Sequence, residues 1–277
     1  MSGQADTILS AQRLNPVMIA LLGVGGFTLL GWSILFFEAA GRGVGSNALL
    51  ETICRPAAIL GPRDAGEILR GLAYSAALWV TMSVAMMLPT ASAMVLSYAD
   101  AAQVRRQAGA RAGSPLLLIG GYLAVWAAVS VGAALLQSVA SAGISTLPIP
   151  ASAATVFAGA AVGAAGFYQV STLKLSCLAA CRQPELKQDH ASAFRLGIAQ
   201  GVQCLGCCGP MMAIMMVMGT MNLVWMAVFS LVMALEKLIG TPRAAQIIGV
   251  LLLVVGAGIS LSAVAPADLL SFALTGR

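Results

Sequence analysis

The residues best equipped for chemistry lie between Gly201 and Met218, a run reading GVQCLGCCGPMMAIMMVM that holds three of the chain's six cysteines and five of its fourteen methionines. No charged side chain interrupts it. On a helix advancing about 100° per residue, Gln200, Cys204, Cys207, Cys208, Met211, Met215 and Met218 share one stripe roughly 100° wide. Thiolates and thioethers are soft ligands that select Cu(I), and thiolates alone also take zinc or iron–sulfur clusters. Methionine stays neutral, so a mixed Cys/Met set holds a single positive charge in apolar surroundings with little imbalance, which favours Cu(I). Zinc would recruit histidine or four thiolates, and the only histidine is His190. Two other readings use the same residues. One is helix packing, with methionine filling gaps. The other is a thiol–disulfide carrier, which needs a cysteine that water can reach.

Further sulfur lies elsewhere. Cys177 and Cys181 are one helical turn apart and are candidates for a handover pair at the end of their span. Met86 and Met87, in a run that also holds Met82, are the candidate contributors from a second helix. Cys54 stands alone in a polar connection. Two prolines should disturb the backbone close to these residues. Pro210 leaves the Gly206 carbonyl without its amide donor and should kink or break the helix at the cysteines, and Pro89 frees the carbonyl of Ala85. Glu236 and Lys237 adjoin at a helix end, where an ion pair or snorkelling is expected, and Lys174 is also placed to snorkel. No phosphate loop, zinc-protease motif, nucleophile elbow or usable carboxylate pair occurs, so nothing points to hydrolysis, group transfer or nucleotide use.

The elements that must position these groups are membrane helices. The chain is 59% hydrophobic and only 9% charged, with mean hydropathy +0.91, where soluble domains carry about 25% charge. The expected fold is an all-α integral membrane protein, a polytopic bundle of about seven transmembrane helices within residues 15–264. Polar tails cover 1–14 and 265–277, and a polar cap covers 40–70. The cap could form short interfacial helices at 47–53 and 64–69. The spans fall at about 15–39, 71–99, 115–141, 152–178, 195–218, 221–238 and 244–264. If 219–222 is a kink rather than a reversal, the count is six. Gly159, Gly163 and Gly166 recur every few residues and suit a close helix–helix contact.

The excess of Lys and Arg, a formal charge of +5, sits in short loops and reads as an orientation signal, not a nucleic-acid surface. Basic segments at 100–114, 174–195 and 236–243 fall on one side of a seven-span count. By the positive-inside tendency the N-terminus is then cytoplasmic, in a bacterial inner membrane. The first apolar run is long enough to remain as a helix, and no cleavable signal is expected.

The order Ala85-Met-Met-Leu-Pro89, Tyr168-Gln169, Leu173-Lys174, Cys177, Cys181-Arg182, Gly201, Cys204, Gly206-Cys207-Cys208, Asn222, Trp225-Met226 and Glu236-Lys237 resembles the predicted metal-binding integral membrane proteins of bacteria, a domain family without an assigned function. The resemblance covers about residues 70–240. It implies an inner-membrane helical bundle with metal binding and no particular reaction. The sequence departs from the family pattern at Ala180 and Gln200, where histidines are common, and at Gly209, where tryptophan is usual. If those histidines are ligands, this chain uses sulfur alone or has lost the site.

The expectation is therefore a non-enzymatic membrane protein handling Cu(I) at Cys204, Cys207, Cys208 and Met211, with Met86 and Met87 alongside and Cys177 and Cys181 as a handover site. It would support a membrane metalloenzyme or metal homeostasis. The rival expectations are a structural subunit of a larger membrane complex and the thiol–disulfide carrier.

Overall fold

A computed structural model describes residues 15–42, 64–110, 112–146, 148, 150–182, 190–218 and 223–263. Among these the chain is entirely helical, in nine helices: α1 (Pro16–Arg42), α2 (Ala65–Thr90), α3 (Ser92–Gln107), α4 (Pro115–Thr146), α5 (Ala151–Gln169), α6 (Thr172–Arg182), α7 (His190–Met218), α8 (Leu223–Ile239) and α9 (Pro242–Ser262). Cys54, Asn222, the two tails and the segment 47–53 lie outside the described residues.

Among the described residues, six helices are long and apolar enough to cross a membrane: α1, α2, α4, α5, α7 and α9. The seven-span expectation is corrected at α8. That helix has 17 residues, about 26 Å at 1.5 Å per residue, against a hydrocarbon core of about 30 Å. Its last turn carries the buried Glu236. It lies back along α7, far enough to bring Lys237 onto Cys204, and the 219–222 junction, expected as a reversal or a kink, lies outside the described residues.

Two of the expected spans are interrupted. The second begins at Ala65, inside the expected cap, because Asp64 caps it by accepting the Glu67 amide at 2.6 Å. It stops at Thr90, where Pro89 supplies no N–H and the Ala91 amide instead tightens onto Leu88 O at 3.1 Å. The α3 helix restarts one residue later. The fourth span stops at Gln169. The Ser171 amide turns back onto Tyr168 O at 2.9 Å, and the Ser171 hydroxyl accepts the Lys174 amide at 3.2 Å, which starts α6. In contrast, α7 runs unbroken through Pro210, so of the kink or break expected there, the break does not occur.

The core forms around α7. Its Gly197 lies on α4, where an added Cβ would stand 2.9 Å from the Tyr122 amide nitrogen, and only a glycine permits that approach. This crossing aims Tyr122 at the middle of α7. The α2 helix packs between α1 and α4, while α6 and α8 meet α7 at its cysteines. The α5 and α9 helices pack mainly on each other: a Cβ on Gly159 would lie 2.7 Å from Gly256 O, and one on Gly166 would lie 2.8 Å from Gly249 O. Gly163 joins the contact through its backbone, since a Cβ on Gly256 would lie 2.6 Å from Gly163 N, while a Cβ on Gly163 itself would point into open space.

Candidate metal centre

The stripe read from the sequence is the buried face of α7. Gln200, Cys204, Cys207, Cys208, Met211 and Met215 are all buried, while Phe194, Val202 and Ile198 on other faces are exposed. The sulfurs of Cys204, Cys207 and Cys208 lie within 4.8 Å of one another. Cys207 Sγ is 3.3 Å from Cys208 Sγ and also lies 3.3 Å from Cys204 O. The α6 helix adds a fourth sulfur, Cys181 Sγ, 3.6 Å from Cys207 Sγ. Hydrogen bonding to Cys204, opposed in part by a bond to Cys207 and reinforced by burial, pushes the Cys181 thiol up to about 12.

Each proline's orphaned carbonyl has found a side-chain donor. Tyr168 donates its hydroxyl proton to Gly206 O at 2.7 Å, and Trp32 donates its indole N–H to Ala85 O at 3.0 Å. The carbonyl oxygen of Met87, freed by the stop at Thr90, accepts from the Thr90 hydroxyl at 2.8 Å and has Tyr122 Oη at 3.0 Å. Satisfying such groups internally is obligatory where water is absent. In this way the backbone irregularities next to the sulfur are stabilised, and interrupted helices near the bilayer middle are a common way to build an ion site.

Three polar groups close on the cluster. Tyr122 Oη lies 3.0 Å from Cys204 Sγ as well as from Met87 O, and its one proton serves one of them at a time. Lys237 Nζ is 3.1 Å from Cys204 Sγ and donates to Thr90 Oγ1 at 2.9 Å. Lys174 Nζ donates to Cys207 O and forms an ion pair with Glu236 Oε2 at 2.8 Å, both side chains being at most 1% exposed. Gln169 Nε2 completes that pair by donating to Glu236 Oε1 at 2.7 Å. These contacts correct two expectations. Lys174 does not snorkel, because Glu236 gives it a partner inside the protein. Glu236 does not pair with its neighbour Lys237, because consecutive helical residues point about 100° apart.

The structure separates the proposed handover pair. Cys181 joins the cluster, whereas Cys177 Sγ rests against Gly206, where a Cβ would stand 2.7 Å from it. Met86, Met87 and Met211 are fully buried in the same core as the cysteines. Sequence reading missed Tyr122 and Thr90 and misjudged Lys237. A lone phenol in the apolar run 115–141 carries no signal of its own, but a lysine in an apolar helix does.

A cavity of about 270 Å³ leads to these sulfurs. Cys204, Cys181, Gln200 and Lys237 line it, together with the exposed Ser97 and Arg182. Arg182 is held there by donating to Gly240 O at 2.7 Å. Gly240 itself has φ +68°, a conformation suited to glycine, at the end of α8. The donor set is several thiols, with thioethers in the same buried core and no carboxylate oxygen on any sulfur among the described contacts. It fits a soft monovalent ion.

A protein family described as PpoB2, copper chaperone, matches residues 76–259, more than half of the chain, and the chain belongs to that family. No curated protein and no solved structure matches it.

Proposed function

Starting from membership of a membrane copper-handling family, we propose that this chain takes up Cu(I) through the cavity ending on Cys181 and Cys204 and holds it among the sulfurs of Cys204, Cys207 and Cys208. The observation that carries this reading is the convergence of those three buried sulfurs within 4.8 Å. A soft ion needs two or three sulfurs that can reach it together, and a packing role does not require thiols to cluster. Cys204 and Cys181 line the cavity and are the first sulfurs an incoming ion meets. Cys207 and Cys208 lie deeper and receive it by exchange. Met211, Met86 and Met87 supply neutral thioethers beyond them. Cys177 stands outside the immediate cluster and has no assigned part in uptake.

The mouth of the cavity carries Arg182, in one of the basic segments. By the positive-inside tendency that side is cytoplasmic, so copper enters from the cytoplasm of a bacterial cell and is passed to a membrane or exported metalloenzyme. The protein has no catalytic step of its own in this reading.

Metal analysis of gently purified protein against a Cys204/Cys207/Cys208→Ser triple variant tests the site. Copper in the wild type and its loss in the variant are expected. Equal metal content in both proteins would place the copper elsewhere. The contact between Cys181 and Cys207 favours a second reading, in which these thiols carry disulfide equivalents. Differential alkylation that finds both reduced under oxidising and reducing growth would remove it.

A further inference from the structure

Glu236 and Lys237 are neighbours in sequence but divide between two partners. Glu236 is fully committed: Lys174 at 2.8 Å neutralises one oxygen and Gln169 at 2.7 Å binds the other. Lys237 is left without a carboxylate among the described residues. Its ammonium contacts are the Thr90 hydroxyl at 2.9 Å and the Cys204 sulfur at 3.1 Å. Lys237 is half-buried and lines the cavity, and an ammonium that has given up part of its hydration gains from an anion at contact distance. Cys204 is the group placed to supply that negative charge.

We propose that Lys237 is the counter-ion of the copper–thiolate centre, pairing with the Cys204 sulfur so that one Cu(I) held by two thiolates is electrically neutral within the buried core. The charges decide the composition. One Cu(I) with two thiolates carries a single negative charge, and Lys237 cancels it. A third thiolate would add a charge that Lys237 alone does not cancel, so the remaining sulfurs of the cluster take part as neutral thiols. That arrangement keeps ligands in reserve for exchange, because a thiol can replace a bound thiolate as it gives up its proton to the leaving one. The Lys174–Glu236 pair adds no net charge and acts on the backbone at Cys207, so it does not substitute for Lys237. Lys237 is thus a positioning and specificity residue and not itself a metal ligand.

The inference rests on the copper site proposed above, and the test separates the two. Full-length wild type, Lys237→Gln and Lys237→Arg, purified in detergent, are titrated with Cu(I) against a chromogenic Cu(I) chelator. Thermal unfolding without metal checks that each is folded. Gln keeps a donor for Thr90 without the charge, and Arg keeps the charge. Gln should weaken Cu(I) binding by roughly a hundredfold, the scale of losing one partner of a buried charge pair, and Arg should restore most of it. If Lys237→Gln does not fold, Lys237→Met carries the same comparison with a side chain of similar length. Wild type that binds Cu(I) while the uncharged variant binds equally tightly overturns the counter-ion. Arg as weak as Gln also overturns it, since shape rather than charge would then matter. Wild type that binds no Cu(I) overturns the copper site and the inference together.

Discussion

The α5–α9 pair and the α7 core are built from similar apolar sequence yet solve different problems. On the α5–α9 side, Gly159 and Gly166 bring two backbones together, and Ile247, Val250, Leu251 and Val254 of α9 face outward. Little there is polar, and close packing alone holds it. Around α7 the interior contains an ion pair, two tyrosine hydroxyls, a lysine on sulfur and four clustered thiols. Buried polarity of this kind contributes weakly to stability for its cost. The comparison teaches that the glycine-packed side is held by backbone contact alone, while the costly polar side carries the groups that the proposed ion site needs.

Breaking the buried ion pair gives the largest expected effect. Lys174→Met leaves Glu236 charged and unpaired, and it should lower stability by about 3–5 kcal/mol in thermal or denaturant unfolding. The double variant Lys174→Met/Glu236→Met should recover much of that loss. If the single and double variants unfold alike, the pair is not coupled as its 2.8 Å contact indicates.

The scaffold side offers the complementary test. Gly166→Leu would drive a side chain into Gly249 O and Leu253 N, each 2.8 Å from the added Cβ, and should cost about 1–3 kcal/mol. Copper bound per folded molecule should not change. A proportional loss of copper would mean that the two regions are not separable.

A smaller effect compares the two prolines. Tyr168→Phe removes the donor to Gly206 O beside the cysteines, and Trp32→Phe removes the donor to Ala85 O. Each should cost about 1 kcal/mol. Only Tyr168→Phe should also weaken Cu(I) binding, because Gly206 precedes Cys207 directly. Equal copper affinity in both variants would reduce Tyr168 to a purely structural role.

Much of this arrangement was legible in the sequence, and the reasons for the rest are physical. The 9% charge content places the chain in a membrane because so few ionic groups cannot cover a soluble surface. The stripe from Gln200 to Met215 follows from helical geometry and is the buried face. The prolines predict which carbonyls are orphaned, Ala85 and Gly206, but not which side chains cap them, since Trp32 and Tyr168 are distant in sequence. Pro210 also fails to break α7, where neighbouring helices supply the missing donor. The stop at Thr90 has a local mark, Pro89 one residue before it, whereas the split between Cys177 and Cys181 depends on tertiary contacts that no local pattern encodes. The span expected at 221–238 was miscounted because hydrophobicity alone does not reveal that α8 is short and ends in buried charge. The Lys237 contact with sulfur required the rotation between adjacent helical residues to be followed into three dimensions.

The central claim is that copper is held by sulfur alone inside this bundle. X-ray absorption at the copper edge of the Cu(I)-loaded, full-length protein tests it most directly. The account predicts a first shell of sulfur only, with two dominant scatterers at short distance, and its disappearance in the Cys204/Cys207/Cys208→Ser protein. A first shell of nitrogen or oxygen, or an unchanged sulfur shell in the triple variant, would contradict it.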